Sequence, residues 1–351
     1  GYRLYAYTHF TDPNFEGPST YKSNIALNLQ FANGYDVRFE YNKDSVNKAL
    51  IWKDLSYSEE GTLADGRALL DQRENPYLTN TGEGGGEAFS IIATKAFDNG
   101  VNLYAGYTNM EMEDASRVAS AQADSAYNKQ PHDLAGENLR AAPSDFMVDD
   151  KLIIGLDYTT QIFGTNDTRF SVLANRKSGR RYSLVYETGD SEVSITDGNW
   201  EAYDLIYVPT GVNDPNVVFA SDAVASSVMN FLNSGCAAGF SGQIMTRNAC
   251  KGDYATRVDL RITQDFQVND DQKIVIYFDI QNLINFLDDD KGWQTEIDTN
   301  SVSRAVSVDL DQTTDSGQLY ITGVNEDAGL IYSTDYGQSQ WQMNLGISYK
   351  F

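Results

Sequence analysis

The chain has 351 residues, and its 50 Asp and Glu against 26 Lys and Arg give a formal net charge of −24 at pH 7. This acidity argues against nucleic acid as a partner, because a phosphate backbone attracts basic surfaces. The mean hydropathy is −0.43, and no apolar run approaches the roughly 18 residues of a transmembrane helix, so that type of membrane protein is excluded.

Alternation of apolar and polar residues predicts antiparallel β-strands along the whole chain, joined in pairs by short turns. The segment ANGY at 32–35, between two alternating runs, is a typical hairpin signal because Asn-Gly suits a tight turn. DNG, FGTND and QVNDDQ predict three further hairpin turns. The predicted strands are residues 2–10, 25–31, 37–41, 89–97, 101–108, 151–160, 168–176, 257–266, 273–285 and 341–351.

The last predicted strand has the cleanest alternation. Its apolar face would carry Trp341, Met343, Leu345, Ile347, Tyr349 and Phe351. At about 3.3 Å per residue and a tilt of about 45°, this strand spans roughly 23 Å along a membrane normal. That length matches the apolar band of an outer-membrane barrel, and aromatic residues at both ends are typical of interfacial girdles. The alternative is the final strand of a soluble sandwich.

Long and short connections alternate along the chain. The long segments are 44–88, 109–150, 177–256 and 286–339, whereas the predicted turns comprise a few residues each. The long segments hold 38 acidic and 14 basic residues, so their excess of acids equals the whole formal net charge. Short periplasmic turns and long extracellular loops characterise outer-membrane barrels. We therefore expect an acidic extracellular surface, which would attract cations or cationic ligands.

The run VDLRITQDF…KIVIYFDIQNLINFLDDDKGW resembles the end of TonB-dependent outer-membrane receptors, whose penultimate strand finishes in an Asn-Leu-x-Asn motif, here residues 282–285. YVPTGVNDPNVVF, SGQIMTRNAC and EDASRVASAQADSAY resemble loop segments of the Oar-like branch of that family. The resemblance extends over roughly residues 89–351. It implies an all-β, antiparallel transmembrane β-barrel of about 22 strands filled by an N-terminal plug. Residues 1–351 would be the C-terminal portion of that barrel, with its last ten strands, and the plug and earlier strands are not recognised.

The resemblance also implies a function and a set of partners. The protein would be a receptor in the outer membrane of a Gram-negative bacterium, transporting a substrate too large or too scarce for diffusion. Its partners would be outer-membrane lipid, the rest of its own barrel and plug, and the TonB complex acting through that plug. The barrel-assembly machinery would recognise Tyr349 and Phe351 as an assembly signal. The alternative is a free-standing ten-stranded barrel, porin-like or used for surface adhesion, because barrels with an even strand number are common.

Two cysteines, Cys236 and Cys250, lie in a stretch rich in Gly, Ser and Asn. In an oxidising compartment this spacing predicts a disulfide that closes a loop, worth about 3 kcal/mol. Two free thiols or half of a metal site is the alternative. A Cys/His zinc site is disfavoured because the chain has only two histidines and neither lies near the cysteines in sequence.

Few residues suggest further chemistry. Asp288, Asp289 and Asp290 are the densest acidic run, and their oxygens could bind calcium, although the spacing is not that of a calcium-binding loop. The alternative is a solvated charge run. His132 beside Asp133 could form a catalytic pair, but such a pair in an acidic loop is more often solvated. We therefore predict no enzymatic activity and no cofactor, with calcium as the single candidate.

Overall fold

The structure is a computed structural model in which most described residues lie in β-strands. Among these residues, no helix has the length and apolar composition required to cross a bilayer. The described residues are 9–54, 59–71, 75–117, 120–131, 140–188, 193–195, 203–297, 302–332 and 339–351.

Nine long strands form an antiparallel sheet in which each strand pairs with the next along the chain. They are β1 (Ser19–Gln30), β2 (Tyr35–Asp54), β3 (Gly84–Ala96), β4 (Val101–Asp114), β5 (Asp150–Phe163), β6 (Asn166–Lys177), β7 (Ala255–Asn269), β8 (Gln272–Gln281) and β9 (Gln342–Lys350). The four predicted turns are confirmed as the tight connections within hairpins β1–β2, β3–β4, β5–β6 and β7–β8. The all-β prediction is therefore confirmed.

Several strand boundaries differ from the predictions. The predicted strand at 2–10 lies almost wholly outside the described residues, and Phe10–Thr11 instead forms a short parallel strand with residues 77–78. The described sheet therefore has nine long strands rather than ten. β2 runs beyond residue 41 because its outer part pairs with Pro76–Thr81. β8 ends before residue 285 because Asn282 adopts a left-handed backbone conformation (φ 54°) and a short helix follows.

The strand register places the apolar side chains of all nine strands on one face of the sheet. One cross-strand row crosses β1 to β5 through Leu27, Phe39, Ile91, Tyr107 and Leu152. Another crosses β9 to β4 through Leu345, Phe278, Ile262, Phe170, Tyr158 and Val101. Much of this face is open, with Leu345 75% and Ile25 73% exposed. A contiguous apolar surface of this size is typical of contact with lipid or another apolar partner.

The four long connections fold together at one end of the sheet. We call them the cap, which comprises the described residues of 55–83, 115–149, 178–254 and 282–341. Of the described apolar residues that are buried, only Ile51 and Ile280 lie in the nine strands, and all others lie in the cap. The main core cluster combines residues of the first, third and fourth connections, among them Leu69, Tyr186 and Ile321. The buried core therefore stabilises the cap, not the nine-stranded sheet.

A five-stranded mixed sheet lies at the centre of the cap. Its strands, in spatial order, are Val217–Phe219, Leu319–Val324, Val302–Val308, Arg181–Glu187 and Cys250–Lys251. The other short strands are Glu59–Thr62, Ala68–Asp71, Ala142–Pro143, Val193–Ile195, Tyr207–Val208, Gln243–Ile244, Thr295–Ile297 and Leu330–Tyr332. The helices are α1 (Ala123–Asn128), α2 (Asp222–Leu232), α3 (Leu283–Leu287), α4 (Leu310–Ser316) and a 3₁₀ helix at Gly235–Phe240.

Local sequence explains the longest cap helix. The Ser221 side chain accepts a hydrogen bond from the Val224 backbone nitrogen and so caps the N-terminus of α2. Three apolar residues at helical spacing, Ala225, Val228 and Leu232, are buried against the cap core. Capping and amphipathic spacing together account for a helix at this position.

Candidate functional site

The face of the sheet opposite the apolar face carries charged side chains that pair across strands. Arg261 on β7 binds Asp279 on β8 through two hydrogen bonds, with its Nε 2.6 Å from Oδ1 and a terminal guanidinium nitrogen 2.7 Å from Oδ2. Arg257 contacts Asp259 at 2.8 Å and Gln281 at 3.1 Å. Ion pairs that are partly exposed to solvent contribute little to the stability of the fold.

These pairs line a cavity of about 330 Å³ on the polar face. Its other lining residues include Gly155, Leu173 and Asp157, whose carboxylate accepts a hydrogen bond from Ser171. The cavity therefore combines a small apolar surface with charges of both signs. This combination suits a polar or zwitterionic solute.

A second cleft, of about 310 Å³, lies between the cap ends of β1 to β4 and is strongly acidic. Its charged lining residues are Lys22, Asp44, Glu87, Glu111, Glu113 and Asp114. Three consecutive glycines on β3 allow the neighbouring strands to approach: a Cβ on Gly85 would lie 2.7 Å from the Asp44 carbonyl oxygen, and one on Gly86 2.6 Å from that of Glu111. The predicted acidic surface thus includes a concave region at the cap end of the sheet.

The Asn-Leu-x-Asn motif connects the last two strands. The Asn282 amide donates to the carbonyl oxygens of Gly292 at 2.9 Å and Ser339 at 2.7 Å. The Asn285 amide donates to the Lys291 carbonyl oxygen at 2.7 Å, and its Oδ1 accepts from the Trp341 backbone nitrogen at 3.2 Å. Both asparagines therefore satisfy backbone groups at the connection between β8 and β9, which is a structural role.

The structure brings Asp288, Asp289 and Asp290 together, with a ligand atom of each within 4.8 Å of the others. Lys291 forms an ion pair with Asp288 at 2.6 Å, and this contact lowers the pKa of the Asp288 carboxyl below its usual range. Asp289 and Asp290 are exposed. The ammonium of Lys291 would compete with a calcium ion for Asp288, so calcium binding at this run stays a prediction.

The predicted disulfide is confirmed: Cys236 and Cys250 are bonded, with Cα atoms 5.1 Å apart. It joins the 3₁₀ helix to the edge strand of the five-stranded cap sheet. Tyr349 and Phe351 lie at the opposite end of the sheet from the cap, with ring centroids 6.0 Å apart. Phe351 is 93% exposed, and its role as an assembly signal stays a prediction. The His132–Asp133 pair lies outside the described residues.

The buried charges in the cap were not predicted from the sequence. Arg67 and Asp65 form an ion pair at 2.7 Å with both side chains about 1% exposed. The Arg67 guanidinium also donates to the Leu205 carbonyl oxygen at 2.6 Å and lies 5.5 Å from the ring centre of Tyr186. Composition and periodicity do not distinguish a buried charged residue from an exposed one, because burial here depends on contacts between separate connections.

Comparison with known proteins adds no assignment. No protein-family model matches the chain, and no curated protein matches it. The functional conclusion therefore depends on strand register, exposure and charge.

Proposed function

We propose that this chain is the C-terminal part of the β-barrel of a TonB-dependent outer-membrane receptor that transports an unidentified substrate. Its apolar face would contact lipid, its polar face would line the lumen, and the cap would be extracellular. One observation carries this proposal: nine strands share an exposed apolar face, whereas the buried core is almost entirely in the cap. A soluble sheet would bury such a face against a second layer of structure.

Aromatic residues at both ends of the apolar face support the placement of this face in a membrane. At the cap end, Phe286 and Trp341 pack edge to face with ring centroids 5.3 Å apart. At the opposite end, the Lys95 ammonium lies 4.2 Å from the ring centre of Tyr35 and 4.6 Å from that of Phe97. Aromatic rings and a lysine that reaches past them are typical of the two headgroup regions of a membrane protein.

The two edges of the sheet support a larger barrel. In the part of the chain that the structure describes, β1 pairs only with β2 and β9 pairs only with β8. All twelve residues of β1 are exposed. An unpaired strand edge in hydrocarbon leaves backbone groups without hydrogen bonds, at several kcal/mol each. Further strands of the same protein would satisfy these edges.

The polar face and the acidic cap suit a transport function. The cavity that contains Arg261 and Asp279 would lie on the lumenal side, where charges of both signs can contact a passing solute. The acidic cleft at the cap end would concentrate cations or cationic substrates at the entrance. These features do not identify the substrate.

A photo-crosslinking experiment tests the TonB dependence. The protein that contains this chain is expressed in a Gram-negative host together with TonB that carries a photoreactive residue in its periplasmic domain. We expect a covalent adduct between the two proteins, alongside the adduct of a known receptor in the same cells as the positive control.

Two other outcomes would contradict the proposal at different levels. A protein that resists carbonate extraction from the membrane but gives no adduct would favour the alternative, a ten-stranded porin-like or adhesion barrel. A protein that is abundant and soluble without detergent would exclude both barrels.

A further inference from the structure

A basic segment lies where the acidic cap meets the nine-stranded sheet. Residues 176–181, RKSGRR, contain four cations and no acid in a chain whose net charge is −24. Lys251 joins this segment, because residue 251 pairs with residue 181 across the cap sheet. Since the cap is otherwise acidic, the segment forms a local surface of opposite sign.

The register places Arg176 at the rim of the apolar face. In the cross-strand row that contains it, its neighbours are Leu152 on β5 and Thr256 on β7. The next row away from the cap is apolar, with Ala174 beside Ile154. Arg176 therefore lies on the apolar face where the strands meet the cap, at the depth expected for headgroups.

The aromatic ring of Tyr254 lies close to two cations at this rim. Its ring centre lies 4.5 Å from the Arg176 guanidinium carbon and 5.2 Å from the Lys251 ammonium. Its hydroxyl donates to Asp150 at 2.8 Å, which fixes the ring. An exposed tyrosine flanked by cations is suited to a surface where acyl chains meet charged headgroups.

The nearby carboxylates leave part of this positive charge available. Asp149 is bound by Arg181 at 2.8 Å and by Lys251 at 2.9 Å. Asp150 accepts from Tyr254 and also lies 3.8 Å from the Lys251 ammonium, and Asp253 is a third, exposed acid beside the segment. Within the described ranges, no carboxylate lies at ion-pair distance from Arg176 or Arg180, which are both exposed. Free guanidinium groups bind phosphate oxygens through paired hydrogen bonds.

We infer that this rim, formed by Arg176, Arg180, Lys251 and Tyr254, binds the phosphate groups of a phosphorylated glycolipid in the outer leaflet, such as lipopolysaccharide. The inference rests on the proposed membrane orientation, because it places the rim at the outer headgroup region. Charge complementarity favours this occupant, since the rim is basic and lies directly beside the apolar face.

Lipid retention by matched variants tests the inference. The protein that contains this chain is purified from outer membranes in a neutral detergent, and lipopolysaccharide per folded protein is measured. The double variant Arg176→Gln, Arg180→Gln should retain about ten-fold less lipid than the wild type, as expected for the loss of charge-assisted hydrogen bonds. Lys177→Gln is the matched control, because Lys177 lies in the same segment but pairs with Lys151 on the polar face. It should retain lipid like the wild type.

Three added ligands distinguish a lipid phosphate from free phosphate. Lipopolysaccharide should rebind to the delipidated wild type, whereas dephosphorylated lipopolysaccharide should not. Millimolar inorganic phosphate should not displace the bound lipopolysaccharide. Retention should also weaken as salt rises, because salt screens exposed charges. This last measurement needs no variant.

Several outcomes would overturn the inference. They are equal retention by the double variant and the wild type, equal loss in Lys177→Gln, insensitivity to salt, or displacement by inorganic phosphate alone. A wild type that inserts in the outer membrane but gives one of these results contradicts only the lipid site. A wild type that does not insert contradicts the proposed function as well.

Discussion

Gly292 lies directly against the side chain of Asn282. A Cβ atom at Gly292 would be 2.7 Å from Asn282 Oδ1 and 3.1 Å from the backbone nitrogen of Asn285. The backbone of Gly292 is also left-handed, with φ +75°. Because glycine alone fits this position without strain, it allows the two asparagines to organise the connection between β8 and β9.

Gly292→Ala should destabilise this connection by about 1–3 kcal/mol, because the added methyl group meets backbone atoms and the left-handed conformation becomes strained. Gly211→Ala is the control, since Gly211 has open space around its Cα and no positive φ. Thermal unfolding of the two variants measures the difference. Equal melting temperatures would contradict the structural role of this contact.

Leu345 and Asn344 test which face of the sheet contacts lipid. Leu345→Arg should cost about 2–4 kcal/mol if Leu345 lies near the bilayer midplane. Asn344→Arg places the same charge on the polar face, beside its cross-strand neighbour Asp279, and should be tolerated. Unfolding in lipid vesicles, followed by Trp fluorescence, compares the variants. Equal damage from both substitutions would be incompatible with a lipid-facing apolar surface.

The ion pair between Arg67 and Asp65 should be sensitive to the loss of one partner. Arg67→Met leaves the buried Asp65 carboxylate without its cation, and we expect a loss of about 3–5 kcal/mol in cap stability. Arg38→Met removes an arginine that pairs with Glu40 on the exposed sheet and serves as the control, with little change expected. Urea unfolding, followed with a spectroscopic probe in the cap, measures the stability of the two variants. A small effect at Arg67 would show that water reaches Asp65.

Reduction of the disulfide should destabilise the cap. The bond closes a loop with a sequence separation of 14, and the chain-entropy model assigns about 3 kcal/mol to a loop of this length. The melting temperature should therefore fall in reducing buffer. A variant with Ser at both 236 and 250 should melt at this lower temperature whether or not reductant is present. If reductant still lowered the melting temperature of the double variant, the disulfide would not be the cause of the decrease.

Alkaline pH should destabilise the cap through Tyr186. Burial raises the pKa of this tyrosine to about 12, while the nearby Arg67 opposes the shift. The unfolded chain releases the same proton near pH 10. The stabilisation from this group is therefore fully present below about pH 10 and is lost as pH rises toward about 12. In Tyr186→Phe, the melting temperature should fall less steeply across this window. An identical slope in both proteins would contradict the assignment.

The hairpins were predictable because their signals are local. ANGY contains its own turn chemistry, and the alternation on either side defines the paired strands. Strand ends were less predictable, because they depend on distant partners. β2 continues to Asp54 only because Pro76–Thr81 pairs with it. β8 stops early because Asn282 is left-handed and donates to carbonyls of the following connection.

The cap was predictable as a set of long acidic connections but not as a folded unit. Its core brings together Leu63, Tyr186 and Leu319, which belong to three different connections. No periodicity links such residues, because the contacts join segments separated by whole hairpins. The cysteine pair was the exception, since two cysteines in one short loop constrain each other regardless of the rest of the fold.

The shared core of the cap also determines an order of assembly. Leu69 and Ile321 belong to one buried cluster although roughly 250 residues separate them in sequence. Each hairpin can form as soon as its own two strands are available, but the cap core cannot close until the last connection has been translated. Until then, side chains that end up buried remain exposed to water and to other chains. These side chains are therefore exposed for longer than the formation of the local hairpins alone would require, and such exposure favours aggregation.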